Sequence, residues 1–184
     1  MIGQLGKLDI DWEFVAAVDG QAMSAEELRV HGAEVFPSWA SLNARPLVGG
    51  EIGCLLSHLG IYRRMIDENI PEVCILEDDC FINKDLGLVL NNKRLLQLDW
   101  DLLLLGHWGI YFDFSRGAEG HSARIPAVPG YSLAKPIEFP YGTYAYILRQ
   151  SAAIKLLSHA YPLRMPMDCL TGNSPAVGVK LRIL

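Results

Sequence analysis

At 184 residues and 51% hydrophobic, with a mean hydropathy of +0.19, the chain can bury a substantial core, which excludes a disordered polypeptide. Its formal charge of −5 leaves no basic footprint for nucleic acid or for an anionic lipid surface. A partner that carries phosphate would need local cations or a metal.

In chain order, WEFVAAVDG (12–20) reads as a short buried strand ending in a turn at Asp19-Gly20. Ser24 followed by Glu27 is a capping-box pattern, so SAEELRVHG predicts a short helix stopped by Gly32. Residues 35–50 read as irregular. EIGCLLSHLGIYRRMIDEN (51–69) predicts a longer helix, with Ile52, Leu55, Leu56, Leu59, Arg63 and Ile66 on one face and Tyr62 at its edge. Arg63 is the odd member of that face and is expected to snorkel. Pro71 ends the segment, and EVCIL predicts a strand.

DLGLVLNNKRLLQL reads as helical, weakened by a Gly and an Asn pair, and WDLLLLG (100–106) as a strand covered on both faces. Residues 107–141, rich in Gly, Ser and Pro, read as a long loop region. GTYAYIL (142–148) predicts a strand, SAAIKLLSHA (151–160) a helix and VKLRIL (179–184) a last strand. Strands alternating with helices imply one α/β domain over 1–184 with a mostly parallel sheet, in which ligands bind outside the carboxyl ends of the strands.

Cys54, Cys74, Cys80 and Cys169 form no Cys-x-x-Cys pair and no Cys/His zinc spacing, so they read as reduced thiols of a cytoplasmic protein. The N-terminal stretch lacks the basic-then-apolar pattern of a signal peptide, and no apolar run reaches the length of a membrane span. Peripheral membrane contact stays open.

The chemistry gathers at VCILEDDCFI (73–82), where Glu77, Asp78 and Asp79 interrupt an apolar run. One reading is a strand end turning into solvent. The other is oxygen ligation of Mg²⁺ or Mn²⁺ with help from substrate phosphate, favoured by the position at a strand's carboxyl end. Alternation along an extended strand would put Glu77 and Asp79 on one side and Asp78 on the other. Glu51 and His58 lie within about 20° on a helix wheel and roughly 10 Å apart, so both could line one cleft. The pattern alone favours plainer roles, a helix-capping Glu51 and a structural His58. Asp168, in RMPMDCLTG, reads by itself as a helix N-cap. No P-loop, dinucleotide fingerprint or nucleophile elbow occurs.

GEIGCLLSHLGIYRRMIDENIPEVCILEDDCFI (50–82), flanked by FVAAVDG (14–20), GTYAYILRQSAAIKLL (142–157) and PMD (166–168), resembles the motifs of glycosyltransferase family 25 in family order. That family includes bacterial lipooligosaccharide galactosyltransferases and animal collagen galactosyltransferases. The resemblance implies a GT-A-like fold and a UDP-sugar donor, often UDP-galactose. It also implies a divalent cation, Mn²⁺ or Mg²⁺, and inverting transfer to a saccharide or glycolipid acceptor in lipopolysaccharide or lipooligosaccharide synthesis at the inner face of the membrane. By the same resemblance Glu77 and Asp79 match the ends of a DxD-like motif that binds metal and ribose. Asp19 and Gly20 fall in the donor-binding flank. Asp168, Glu51 and His58 become the catalytic candidates, with Asp168 the first choice of base.

Three departures accompany the likeness. Family members usually have a further strand before the equivalent of residue 1, and they usually continue past residue 184. Tyr144 stands where many have His. The sheet is therefore expected to be incomplete at both ends. Against the transferase stand two other readings: a non-catalytic sugar- or nucleotide-binding remnant or partner subunit, and a metal-dependent phosphohydrolase. The lack of further clustered acids or histidines weighs against the last.

Overall fold

The computed structural model describes residues 2–8, 10–31, 47–108, 125–136 and 139–184. Gly32 and most of the stretch read as irregular lie outside the described residues. Helix α1 (Ile2–Leu5) opens the fold, and α2 (Ala25–Val30) follows with the expected reciprocal cap: the Glu27 N–H bonds the Ser24 hydroxyl, and the Glu27 carboxylate accepts from the Ser24 N–H at 2.7 Å. The long helix α3 (Gly49–Asp67) leads to strand β1 (Glu72–Leu76). The helix expected over 85–98 is two short ones, α4 (Leu86–Leu90) and α5 (Lys93–Gln97), divided at the asparagine pair. Asn92 caps α5 by accepting from the Leu95 N–H at 2.9 Å. Strand β2 (Leu102–Trp108) comes next.

Within the stretch read as loop, β3 (Ile125–Val128) and β4 (Tyr131–Leu133) form a hairpin. Pro129-Gly130 turns it, with Gly130 at φ 84°, a conformation glycine adopts without steric cost. Strand β5 (Tyr141–Arg149) runs straight into α6 (Gln150–Ala160). Helix α7 (Met167–Gly172) and a 3₁₀ turn (Ser174–Val177) precede the last strand, β6 (Leu181–Ile183).

The main sheet has the order β1-β5-β2-β6. β5 is antiparallel to both β1 and β2, while β2 and β6 are parallel. β1, β2 and β6 therefore share one direction, as an α/β reading expects, but the sheet is mixed rather than mostly parallel. The cause is β5. It follows the β3–β4 hairpin in the chain and enters between two parallel strands from the opposite end.

One face of the sheet carries α3, α6 and α7, with Leu102, Leu104, Tyr146 and Leu148 pointing into that core. The other carries Trp100, Leu95, Val89 and the β3–β4 hairpin, met by Leu103 and Ile147. Leu102, Leu103 and Leu104 are all fully buried, as expected of a strand covered on both sides. The buried stripe of α3 is rotated from the expected one. His58, Tyr62 and Met65 point inward, whereas Arg63 is exposed and Leu56 and Ile66 only partly buried. Hydrogen bonds of His58 and Tyr62 to a residue of the sheet account for the rotation, described below.

Residues 12–18 depart furthest from expectation. They belong to no strand, and Trp12, Phe14, Val15 and Val18 are exposed. They cross α3 where three glycines meet. A Cβ on Gly53 would overlap the Val18 carbonyl oxygen and stand 2.7 Å from the Gly20 nitrogen, and one on Gly20 would stand 2.6 Å from the Gly53 nitrogen. The Ser57 hydroxyl locks the crossing, accepting from the Val18 N–H at 2.9 Å and donating to the Gly53 carbonyl at 2.7 Å.

Gly53→Ala should therefore push the 18–20 segment off α3 rather than be absorbed, because the groups it meets are backbone. The expected loss is about 1–3 kcal/mol, as for other over-packed positions, read from urea denaturation midpoints. Gly50→Ala on the same helix, where an added Cβ meets nothing within 4 Å, should be neutral or stabilising.

Candidate functional site

The site forms where the carboxyl end of β1 meets the start of β5. The β1–β5 register pairs Leu76 with Ala145, and the Glu77 N–H extends the ladder by one bond to the Tyr144 carbonyl at 2.9 Å. This places the Glu77 carboxylate beside Thr143, whose hydroxyl donates to Glu77 Oε1 in a short hydrogen bond. The chain then turns, the Cys80 N–H closing back on the Glu77 carbonyl at 3.2 Å. Asp78 and Asp79 occupy the exposed tip of that turn.

The two acids assigned to one cation by strand alternation are thus held differently. β1 ends at Leu76, so alternation does not extend into the triplet: Glu77 faces the interior, and Asp78 and Asp79 both stand in solvent.

Above Glu77 lies α3. His58, buried, has Nε2 3.6 Å from Glu77 Oε1 and Nδ1 2.7 Å from the Tyr146 hydroxyl, which is 2.8 Å from the Tyr62 hydroxyl. An ionised carboxylate can only accept. The order of protons that satisfies the line is therefore Tyr62 to Tyr146, Tyr146 to His58 Nδ1, and His58 Nε2–H toward Glu77. Burial pushes the Tyr62 and Tyr146 phenols well up, so both remain protonated donors. The His58 imidazole holds the Glu77 carboxyl below the usual carboxylate range; burial opposes this, and the Thr143 hydroxyl reinforces it.

Cys54 stands one helical turn before His58. Its thiol, His58 and Glu77 each offer a ligand atom, and the three atoms lie within 4.8 Å of one another. Burial first, then the nearby charges of Glu77 and Asp168, push this thiol up to about 11.

Asp168 lies in the first turn of α7, not on a loop and not at the N-cap, which is Pro166. Cys169 beside it is pushed up to about 12, by burial first and then by the charges of Asp168 and Glu51. Asp168 and Glu51 therefore both lie near Cys169, where α3 meets α7. Glu51 accepts from the Val48 N–H at 2.9 Å, capping its own helix. Asp19 accepts from the Gln21 and Ala22 N–H groups at 3.0 and 3.3 Å, closing its turn, and Gly20 is buried against Gly49 and Gly53.

A cavity of about 1050 Å³ runs along β1. Extended residues 10–15 form one wall, Cys54, Ser57, His58, Ile61 and Arg64 of α3 another, and Glu77, Asp78 and Asp79 sit at one end. Among the described residues β1 pairs with β5 alone, so its other edge opens on this space. Asp11, Glu13, Glu72, Glu77, Asp78 and Asp79 all line it; among the described residues the sole Lys or Arg in the lining is Arg64, which is paired with Glu13 and Glu68. Glu51 and Asp168 are outside the lining.

The sequence model of glycosyltransferase family 25, described as a lipopolysaccharide biosynthesis protein family, matches residues 1–171. The chain belongs to this family. Among relatives, it is 33% identical to a glycosyltransferase 25 family member of Aedes aegypti and 29% identical to procollagen galactosyltransferase 1 of Danio rerio, each over 91% of this chain and 27% of the relative. It is also 30% identical to the inactive glycosyltransferase 25 family member 3 of Homo sapiens, over 91% of this chain and 28% of that protein. The chain thus spans about a quarter of the length of the curated relatives it matches.

The sequence reading paired Glu77 with Asp79 at one site, set Glu51 and His58 along one cleft and left Asp168 by itself; the structure instead brings His58 to Glu77 and places Glu51 and Asp168 near Cys169. The sequence reading missed Thr143, Tyr146 and Cys54. Cys54 and His58, four apart on a helix, carried a legible signal; Thr143 and Tyr146 reach the site only through strand pairing.

The depressed Glu77 carboxyl contributes stability that is fully present above the unfolded carboxylate range, near pH 4.3, and is lost as pH falls through its lower folded value. Glu77→Gln should therefore narrow the gap in unfolding free energy between pH 6 and pH 3, measured by urea denaturation across that range. An unchanged gap would place the charge of Glu77 outside the folding equilibrium.

Proposed function

We propose that this chain forms the donor-binding and catalytic part of a metal-dependent, inverting glycosyltransferase. It would move a hexose, galactose first among the candidates, from a UDP-sugar to a saccharide hydroxyl on a lipopolysaccharide, lipooligosaccharide or similar glycolipid. The observation that carries the reading is the acidic wall of the β1 cavity. Among the described residues six carboxylates line this space, with Glu13 paired to Arg64 and Glu72 to Arg149, and a metal would offset their repulsion of a nucleotide diphosphate. The exposed Asp78-Asp79 tip offers oxygen donors where such a cation would sit, with Asp79 the principal ligand. Glu77 anchors the turn through Thr143 and His58. The cavity volume suits a nucleotide-sized ligand. Trp12 and Phe14, in edge-to-face contact at 5.2 Å between centroids, add an aromatic wall.

When bound, the metal supplies charge stabilisation to the departing diphosphate. The protein's own part is to exclude water from the donor, to orient it along β1 and to remove a proton from the acceptor. Asp168 is the proposed base. It lies near Cys54 and outside the cavity lining, and this reading has the acceptor hydroxyl approach from that side. Glu51 is the next choice. His58 is a positioning residue, because Tyr146 and Glu77 already face both its ring nitrogens. Among the described residues no helix is long and apolar enough to cross a membrane. Work at the cytoplasmic face of a membrane, through peripheral contact with a glycolipid acceptor, belongs to the same proposal.

A second reading is a donor-binding module without turnover. It draws support from the inactive human relative, which matches this chain as closely as the galactosyltransferases do.

Calorimetry separates these readings. UDP-galactose should bind with Mn²⁺ present and fail to bind in chelator, and Asp79→Asn should raise the Kd at least tenfold in Mn²⁺ while leaving the far-UV spectrum unchanged. Equal affinity with and without the cation would remove the metal from the mechanism. For the base, Asp168→Asn should retain donor affinity and lower kcat by about 10²–10⁴-fold. Donor binding without detectable transfer in the unsubstituted chain would establish the second reading.

A further inference from the structure

We propose that Cys54, His58 and Glu77 form a second cation site, for a borderline-soft metal of the Zn²⁺ class, distinct from the hard-cation tip at Asp78-Asp79. The donor set is one thiolate, one imidazole and one carboxylate, drawn from two adjacent elements. Cys54 and His58 share a face of α3 one turn apart, and Glu77 reaches them from the end of β1. Sulfur and nitrogen ligands of this kind select zinc over magnesium or manganese.

The geometry is close to what such an ion needs. For zinc–nitrogen and zinc–oxygen bonds of about 2.0–2.2 Å, tetrahedral ligands stand about 3.4 Å apart. His58 Nε2 and Glu77 Oε1 are already 3.6 Å apart. The Cys54 sulfur, within 4.8 Å of both, would need to close by no more than about 1 Å, since zinc–sulfur bonds are about 2.3 Å.

The surroundings of the ligands also fit. Metal-bound histidines characteristically engage their second ring nitrogen with a hydrogen-bond partner that fixes ring and tautomer. His58 Nδ1 has one in Tyr146, itself held by Tyr62; with a metal on Nε2 the ring proton would move to Nδ1 and donate to the Tyr146 hydroxyl, which would turn to donate to Tyr62. Glu77 is oriented by Thr143. All three ligand residues line the β1 cavity, so three protein ligands would leave a fourth position facing open space. Asp168 stands close enough to influence Cys54, and among the described residues no lysine or arginine other than the paired Arg64 lines this cavity. A bound cation would offset that concentration of negative charge.

The probe is Co²⁺ added to the full chain after chelator treatment, followed by absorption spectroscopy and by competition with Zn²⁺. A cysteine-bound, four-coordinate cobalt ion gives a sulfur-to-metal band in the near ultraviolet and strong visible bands. The expected result is one equivalent of such cobalt, displaced by Zn²⁺. Cys54→Ser should remove the near-ultraviolet band, and His58→Gln should weaken binding at least tenfold. Tyr146→Phe, which removes only the partner of Nδ1, should weaken it about 10–100-fold. Asp78→Asn and Asp79→Asn should leave the cobalt spectrum unchanged, which separates this site from Mn²⁺-dependent donor binding. Either site can therefore fail alone. Absence of the sulfur band, or its persistence in Cys54→Ser with the fold intact by circular dichroism, would overturn the proposal and leave the cluster a hydrogen-bonded network of the core.

Discussion

The buried line of polar groups from Tyr62 through Tyr146 to His58 and Glu77 is the constraint on which the rest of the architecture depends. Two phenols and an imidazole sit in an otherwise apolar core, where each unpaired polar group would cost about 1–3 kcal/mol. They are tolerable only in one arrangement: α3 rotated so that His58 and Tyr62 face the sheet, and β5 placed so that Tyr146 meets both. That arrangement fixes the angle of the long helix, the register of β5 against β1 and the inward direction of Glu77. Core packing alone would permit several rotations of a helix as apolar as α3; the hydroxyl of Tyr146 selects one.

Seen this way, five residues of the Gly-Glu-Ile-Gly-Cys-Leu-Leu-Ser-His stretch have separate physical tasks. Glu51 caps the helix. Gly53 removes the side chain that would keep residues 18–20 away. Ser57 ties down the Val18 amide. Cys54 and His58 present donor atoms to Glu77. One helix thus organises both the loop crossing on its outer side and the acidic turn on its inner side, so a family-level sequence signature and a local mechanical assembly coincide.

The parts of the fold that were legible in the sequence are those decided locally. The Ser24–Glu27 cap, the strand after Pro71 and the doubly covered Leu102–Leu104 run follow from short-range chemistry, and the structure shows each of them. What failed was decided at a distance. Arg63 was placed on the buried face because helical periodicity cannot see that Tyr146 prefers His58 and Tyr62. Residues 12–18 have the composition of a strand, but pairing, not composition, makes a strand, and they have no described partner. The β3–β4 hairpin was signalled by Pro129-Gly130 and was submerged in a region of similar composition. In the site, the acidic triplet was conspicuous, yet its division into one inward and two outward acids depends on a turn closed by the Cys80 amide.

The central position of β5 also bears on the order in which the molecule assembles. Glu77 waits for Thr143, 66 residues downstream, and His58 for Tyr146, 88 residues downstream. During synthesis α3 and β1 emerge early, with an unpaired strand edge and two helix side chains lacking their buried partner. Contacts of such long sequence separation form late and slowly. The first half of the chain therefore lacks the partners of its buried polar groups until residue 149 has left the ribosome.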